Sequence, residues 1–105
     1  MPNALYLQIG SQFEQAHGTT ISQMFGKPCL KTNGKAFAAF YQDQMVFKLG
    51  KEHIADFQSI YIGSVSWDPS GKNRPMKDWL QIPFDFKDDW EKLALQAKSS
   101  VESTS

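Results

Sequence analysis

The order of apolar and polar positions divides the chain into short elements. Leu5, Ile9, Phe13 and Ala16 recur at about helical spacing, which predicts a first helix over 4–16 with one apolar stripe. Asn3 is placed to cap its start, and Gly18, after His17, to end it. Thr19, Thr20 and Ile21 are β-branched and predict an extended lead into Met24-Phe25-Gly26. From there to Leu49 the reading is three short strands, Pro28–Thr32, Lys35–Tyr41 and Met45–Leu49. Asn33-Gly34 is a strong hairpin signal, because a type I′ turn needs positive φ at both central residues. A second turn falls at Gln42-Asp43 or Asp43-Gln44.

A two-residue turn at Asn33-Gly34 sets Leu30 opposite Phe37 and Cys29 opposite Ala38, and that register divides the meander into two faces. Cys29, Ala36, Ala38, Phe40, Met45, Phe47 and Leu49 form an apolar face expected to take the helices. Leu30, Thr32, Lys35, Phe37, Ala39, Tyr41, Val46 and Lys48 form a second face that mixes aromatics with cations.

Beyond Gly50, Lys51–Gln58 reads as a short helix with Ile54 and Phe57 inward, and Ser59–Trp67 as β-like. Asp68-Pro69-Ser70-Gly71 opens the longest loop, which runs to Asn73. Pro75–Ile82 reads as a strand, with Met76, Leu80 and Ile82 to one side and Lys77, Trp79 and Gln81 to the other. Asp85 is placed to cap a last helix marked by Phe86, Trp90, Leu93 and Ala97, with Asp88 and Asp89 near the positive end of its dipole. The fold class expected is α+β: a two-layer sandwich with an antiparallel sheet and the element order α-β-β-β-α-β-β-α. A single domain over 1–98 and a disordered Ser/Thr-rich tail over 99–105 complete the reading.

Composition narrows the picture further. A chain of 105 residues with 41% apolar content fits one packed domain. Formal net charge is zero, so no global field draws it to nucleic acid or an anionic membrane. The single cysteine cannot pair internally, and no apolar run is long enough to span a bilayer. A cytoplasmic protein is expected.

Met24-Phe25-Gly26, followed by a meander ending Met45-Val46-Phe47-Lys48, resembles the TfoX N-terminal domain family, the first domains of the bacterial competence regulators TfoX and Sxy and their stand-alone relatives. Arg74-Pro75-Met76 to Ile82-Pro83 looks like the family's last strand. The resemblance covers about residues 4 to 98. It implies a fold similar to that of type III secretion chaperones, no catalytic residues and no cofactor. Gln23 and Lys27 stand where the family often has a basic residue and a second glycine.

The residues themselves offer little chemistry. Cys29 reads as a buried thiol. His17 and His53 have no second ligand at metal spacing, and Glu52 and His53 point apart on a helix. The basic residues are uneven, with Lys27, Lys31, Lys35, Lys48 and Lys51 along the meander and Lys72, Arg74 and Lys77 after it, while acids gather in Asp85–Glu91. An interaction face is therefore expected at Phe37, Tyr41, Lys48, Arg74 and Lys77. It has three readings: covered by the N-terminal segment or the long loop, a self-association surface, or a platform for a flat ligand or single-stranded nucleic acid. The function expected is a non-catalytic bacterial module working by protein–protein contact, with a homodimer as one form. The alternative is a nucleic-acid-binding regulator using Lys48, Arg74 and Lys77.

Overall fold

The computed structural model describes residues 2–16, 18–24, 26–72 and 74–103. Its elements are helix α1 (Pro2–Ala16), strands β1 (Thr20–Met24), β2 (Lys27–Thr32), β3 (Lys35–Tyr41) and β4 (Gln44–Lys48), helix α2 (Ile54–Ile60), strands β5 (Val65–Ser66) and β6 (Trp79–Ile82), and helix α3 (Trp90–Ser103). A 3-10 turn, Lys51–His53, leads into α2, and a second, Phe84–Asp89, leads into α3. The strands form one antiparallel sheet in the order β1-β2-β3-β4-β6-β5, and the helices pack on one face of it. The two-layer α+β architecture and its expected order hold. The extended segment at Thr20 joins the sheet as an additional edge strand, pairing Thr20 with Lys31 through Met24 with Lys27.

Helix α1 buries Tyr6, Ile9 and Phe13, and Leu5 is half-buried. Ala16, expected in that stripe, is exposed, and Tyr6 takes a buried place instead. The helix begins at Pro2, so Asn3 lies inside its first turn rather than ahead of it. His17, expected at the helix end, and Phe25 and Asn73 lie outside the described residues.

Both hairpin turns have two residues with positive φ: 53° and 78° at Asn33 and Gly34, and 50° and 64° at Gln42 and Asp43. The first keeps the expected register as far as Thr32↔Lys35 and Lys31↔Ala36. A bulge then shifts it, so Leu30 pairs with Ala38 and Cys29 with Ala39. Phe37 is the extra residue and stays on the helix side with Ala38, its ring stacked on Phe13 at 6.1 Å. The slip corrects the expected faces. Leu30 and Phe37 lie under the helices, whereas Cys29 and Ala36 lie on the opposite side. The physical gain is one of volume: bulky Leu30 and Phe37 fill the helix layer, and small Cys29 and Ala39 leave room for indole rings beyond them.

The second half departs from expectation in four places. Helical structure continues to Ile60 because Phe57 and Tyr61, four apart, stack at 6.4 Å beside buried Ile54. That leaves only Val65–Ser66 as strand in the 59–67 segment. Strand β6 starts at Trp79, after a turn at Lys77-Asp78, so the alternation does not reach back to Met76, which packs on the side away from the helices. Pro83 precedes the second 3-10 turn without a side-chain cap bond, so Asp85 lies in that turn and not at the start of α3. Finally, α3 runs through the expected tail to Ser103 with Val101 buried, and the Thr32 hydroxyl donates to Glu102 at 2.8 Å. Val101 extends the Trp90, Leu93, Ala97 stripe by one turn, and burial of that side chain holds the segment helical. Residues 104–105 lie outside the described residues.

Candidate interaction surface

The centre of the second sheet face is covered, and a tryptophan pair covers it. Trp67, fully buried, follows β5, and Trp79, 3% exposed, opens β6; their ring centroids lie 5.1 Å apart over Cys29, Ala39 and Val46. The Trp67 backbone N–H donates to the Trp79 carbonyl at 3.1 Å, and the Met76 backbone N–H to the Trp67 carbonyl at 2.8 Å, so the chain leaves and returns across one point. Tyr41 meets Trp67 edge-on at 5.9 Å and carries the Lys27 ammonium 5.6 Å from its ring centroid. The segment from Trp67 to Trp79 covers the centre of this face, while Val65, paired with Gln81, stays 52% accessible at its margin.

Asp68 organises that loop. Its carboxylate accepts from the Ser70 hydroxyl at 2.6 Å, and from the backbone N–H groups of Ser70, Gly71 and Arg74 at 3.1, 3.2 and 2.9 Å. The Ser70 hydroxyl bond, chiefly, holds the carboxyl below its ordinary value; desolvation, the next cause, opposes it, and the backbone donors of Arg74, Ser70 and Gly71 each lower it by less. An Asp-Pro-Ser-Gly sequence folds this way because a short acceptor two or three residues ahead can take the backbone donors a tight turn leaves free.

The fixed loop leaves a pocket of about 380 Å³ lined by Pro69, Ser70, Arg74 and Met76. Its walls are almost wholly apolar. Arg74 is exposed and makes no ion pair among the described residues. Lys72 and Lys77 are exposed nearby in sequence. This surface is therefore a small apolar recess with Arg74 in its lining.

The five residues expected to share a face do not. Phe37 is buried under the helices. Tyr41 is half-buried beside Trp67. Lys48 sits 3.8 Å from the Asp78 carboxylate, and lines a separate cavity of about 410 Å³ with Lys77, Lys51, Glu52 and Ser100. Arg74 alone belongs to the apolar recess. Sequence reasoning missed Trp67, Asp68 and Met76 as builders of this surface. The signal available was the pair of tryptophans flanking the long loop. Cys29 is buried as expected, but beneath the tryptophans, and burial pushes its thiol up, more than Lys31 pulls it down. His53 is exposed in the 3-10 turn.

These features define a two-layer α+β domain whose sheet is helix-covered on one side and capped at its centre by a tryptophan-anchored loop on the other. The model of the TfoX N-terminal domain matches residues 11–104, and the chain belongs to that family. No curated protein matches the chain. No helix among the described residues is long and apolar enough to cross a membrane.

Proposed function

We propose that this protein is a non-catalytic, cytoplasmic regulatory module of bacteria that acts by protein–protein contact through the Asp68 loop. The observation that carries the reading is the apolar recess of Pro69, Ser70, Arg74 and Met76, whose one charged lining residue, Arg74, makes no ion pair among the described residues. Such a site suits a partner segment that presents an apolar side chain next to a carboxylate: the side chain fills the recess and the carboxylate pairs with Arg74. Family membership supports a TfoX-like regulatory role. Homodimerisation is a part of this reading.

The test is affinity capture from a bacterial lysate with the wild type and with Arg74→Glu, at low and high salt. Loss of specific proteins with the charge-reversed variant is expected. An identical captured set for both would overturn the reading. Nucleic-acid binding by Lys48, Arg74 and Lys77 predicts instead that captured nucleic acid falls steeply with salt. That outcome would replace the protein-contact reading. The division of these three residues between two cavities favours protein contact, since a phosphate backbone needs a continuous cationic track.

A further inference from the structure

We propose that strand β1 is a self-association edge, on which a second copy of this chain pairs antiparallel about a two-fold axis through Ser22. This deepens the protein-contact reading above and does not depend on the Arg74 recess.

The two edges of the sheet are built differently. At one, β5 has two residues, too short to template a partner strand. At the other, β1 has five residues, Thr20-Ile21-Ser22-Gln23-Met24, with no charge, no proline and no shift of register against β2. Lysine, the common guard of sheet edges, stands in β2, β3 and β4 but not in β1. Helix α1 does not cover this edge. It lies on the face, where a Cβ on Gly10 would come 3.2 Å from Leu30 and 3.8 Å from Ile21. Thr20, Ile21 and Gln23 remain exposed, and Ile21 is 44% accessible. Leu7, one helical turn before Gly10, is 55% accessible. An unguarded edge and exposed apolar side chains thus occur together.

The segment suits its own copy. An axis through Ser22 sets Ser22 against Ser22 and Ile21 against Gln23 of the second copy, so side chains that share a face meet side chains of that face. No charge in the strand meets a like charge, and the zero net charge of the chain adds no repulsion. The two-fold arrangement pairs both β1 edges with each other, so association stops at the dimer.

The test is sedimentation equilibrium over a concentration series, with Ile21→Lys and Ser22→Cys. The wild type should shift from monomer toward dimer as concentration rises. Ile21→Lys should weaken the dimer at least tenfold, with unchanged circular dichroism and intact Arg74-dependent capture. Mild oxidation should link Ser22→Cys into a covalent dimer, because directly opposed residues of such a pair are close enough for a disulfide, whereas Ser59→Cys, exposed on α2, should not cross-link. Cys29 is the direct partner of Ser22 on β2 and could bond with it inside one copy, so both cysteine variants are made on a Cys29→Ala background. A wild type that stays monomeric throughout overturns the proposal, as does a Ser22→Cys variant that cross-links no faster than Ser59→Cys. Should Ile21→Lys unfold, the cysteine pair decides. Loss of the dimer with capture retained separates this proposal from the recess.

Discussion

Two residues of the second hairpin turn hold conformations that L side chains resist. Gln42 and Asp43 have φ of 50° and 64°, and neither is glycine. The left-handed region costs an ordinary residue roughly 1–2 kcal/mol, less for Asp, whose short side chain bonds locally. The first turn meets the same demand with Asn33-Gly34. Replacing Gln42-Asp43 by Asn-Gly should therefore stabilise the protein by about 1 kcal/mol, read as a higher urea midpoint at unchanged slope; an unmoved midpoint would refute the strain. Asp68 acts at the same scale. Because its folded carboxyl titrates below the ordinary range, its contribution is complete above that range and is lost as pH falls through the folded value. Asp68→Ala should release the loop over Trp67, red-shifting tryptophan fluorescence at neutral pH with no change in far-UV circular dichroism. Acidification should move the wild-type spectrum toward that of the variant. A spectrum that does not change on substitution would show that the tryptophans hold the loop without the carboxylate.

Among the elements, α3 shows how a short apolar signal decides a boundary. Its last turn is polar apart from Val101, yet that side chain is buried, and Glu102 accepts from Thr32 on β2. Ending the chain after Ser99 removes both contacts and should cost about 2–4 kcal/mol, from a buried valine and a charge-assisted hydrogen bond. Equilibrium unfolding of the truncated chain measures this; an unchanged stability would mean the last turn rides on the fold without supporting it. The Ser/Thr-rich composition of 99–105 reads as a tail because no apolar pair marks it, and one valine at the right phase outweighs that composition. The meander teaches a related lesson. Asn33-Gly34 made its turn and the first two pairs of its register legible, since a two-residue turn leaves little choice. The bulge at Phe37 was not, because it answers to volume across the sheet: which side has room for Leu30 and which for the Trp67 and Trp79 rings. The same non-local fit hid the tryptophan cover on the second face, so Tyr41 and Arg74 kept places at the surface while Phe37 moved to the core.

The sheet has a buried cluster on each side, and buried aromatic groups tie the layers together. In the helix layer, Tyr61 packs between Phe57 and Phe86 and donates its hydroxyl to the Asp89 carboxylate at 2.9 Å, joining the end of α2 to the turn before α3. Burial first, then that hydrogen bond and the nearby charge, push its phenol up to about 12 from an ordinary 10.0. Burial likewise raises Tyr6 in α1, whose ring lies 5.3 Å from Phe40. A phenol raised on folding binds its proton more tightly in the native state, so its stabilisation is complete below about pH 10 and is lost as pH climbs toward the folded value. The protein should accordingly lose stability between pH 10 and about 12 through the tyrosines that join its helices. Tyr61→Phe isolates one share. At pH 8 the variant should be about 1–3 kcal/mol less stable, for loss of a hydrogen bond to a charged acceptor. Toward pH 12 that gap should close, because the variant has no phenol there to ionise and the wild type must keep its own protonated against the solvent. Urea unfolding of both proteins at pH 8, 10 and 12 reads the difference directly. A gap that stays constant across the series would place the alkaline weakness outside the Tyr61–Asp89 contact, and a gap that narrows identifies that contact as the joint through which α2 and the turn before α3 share their stability.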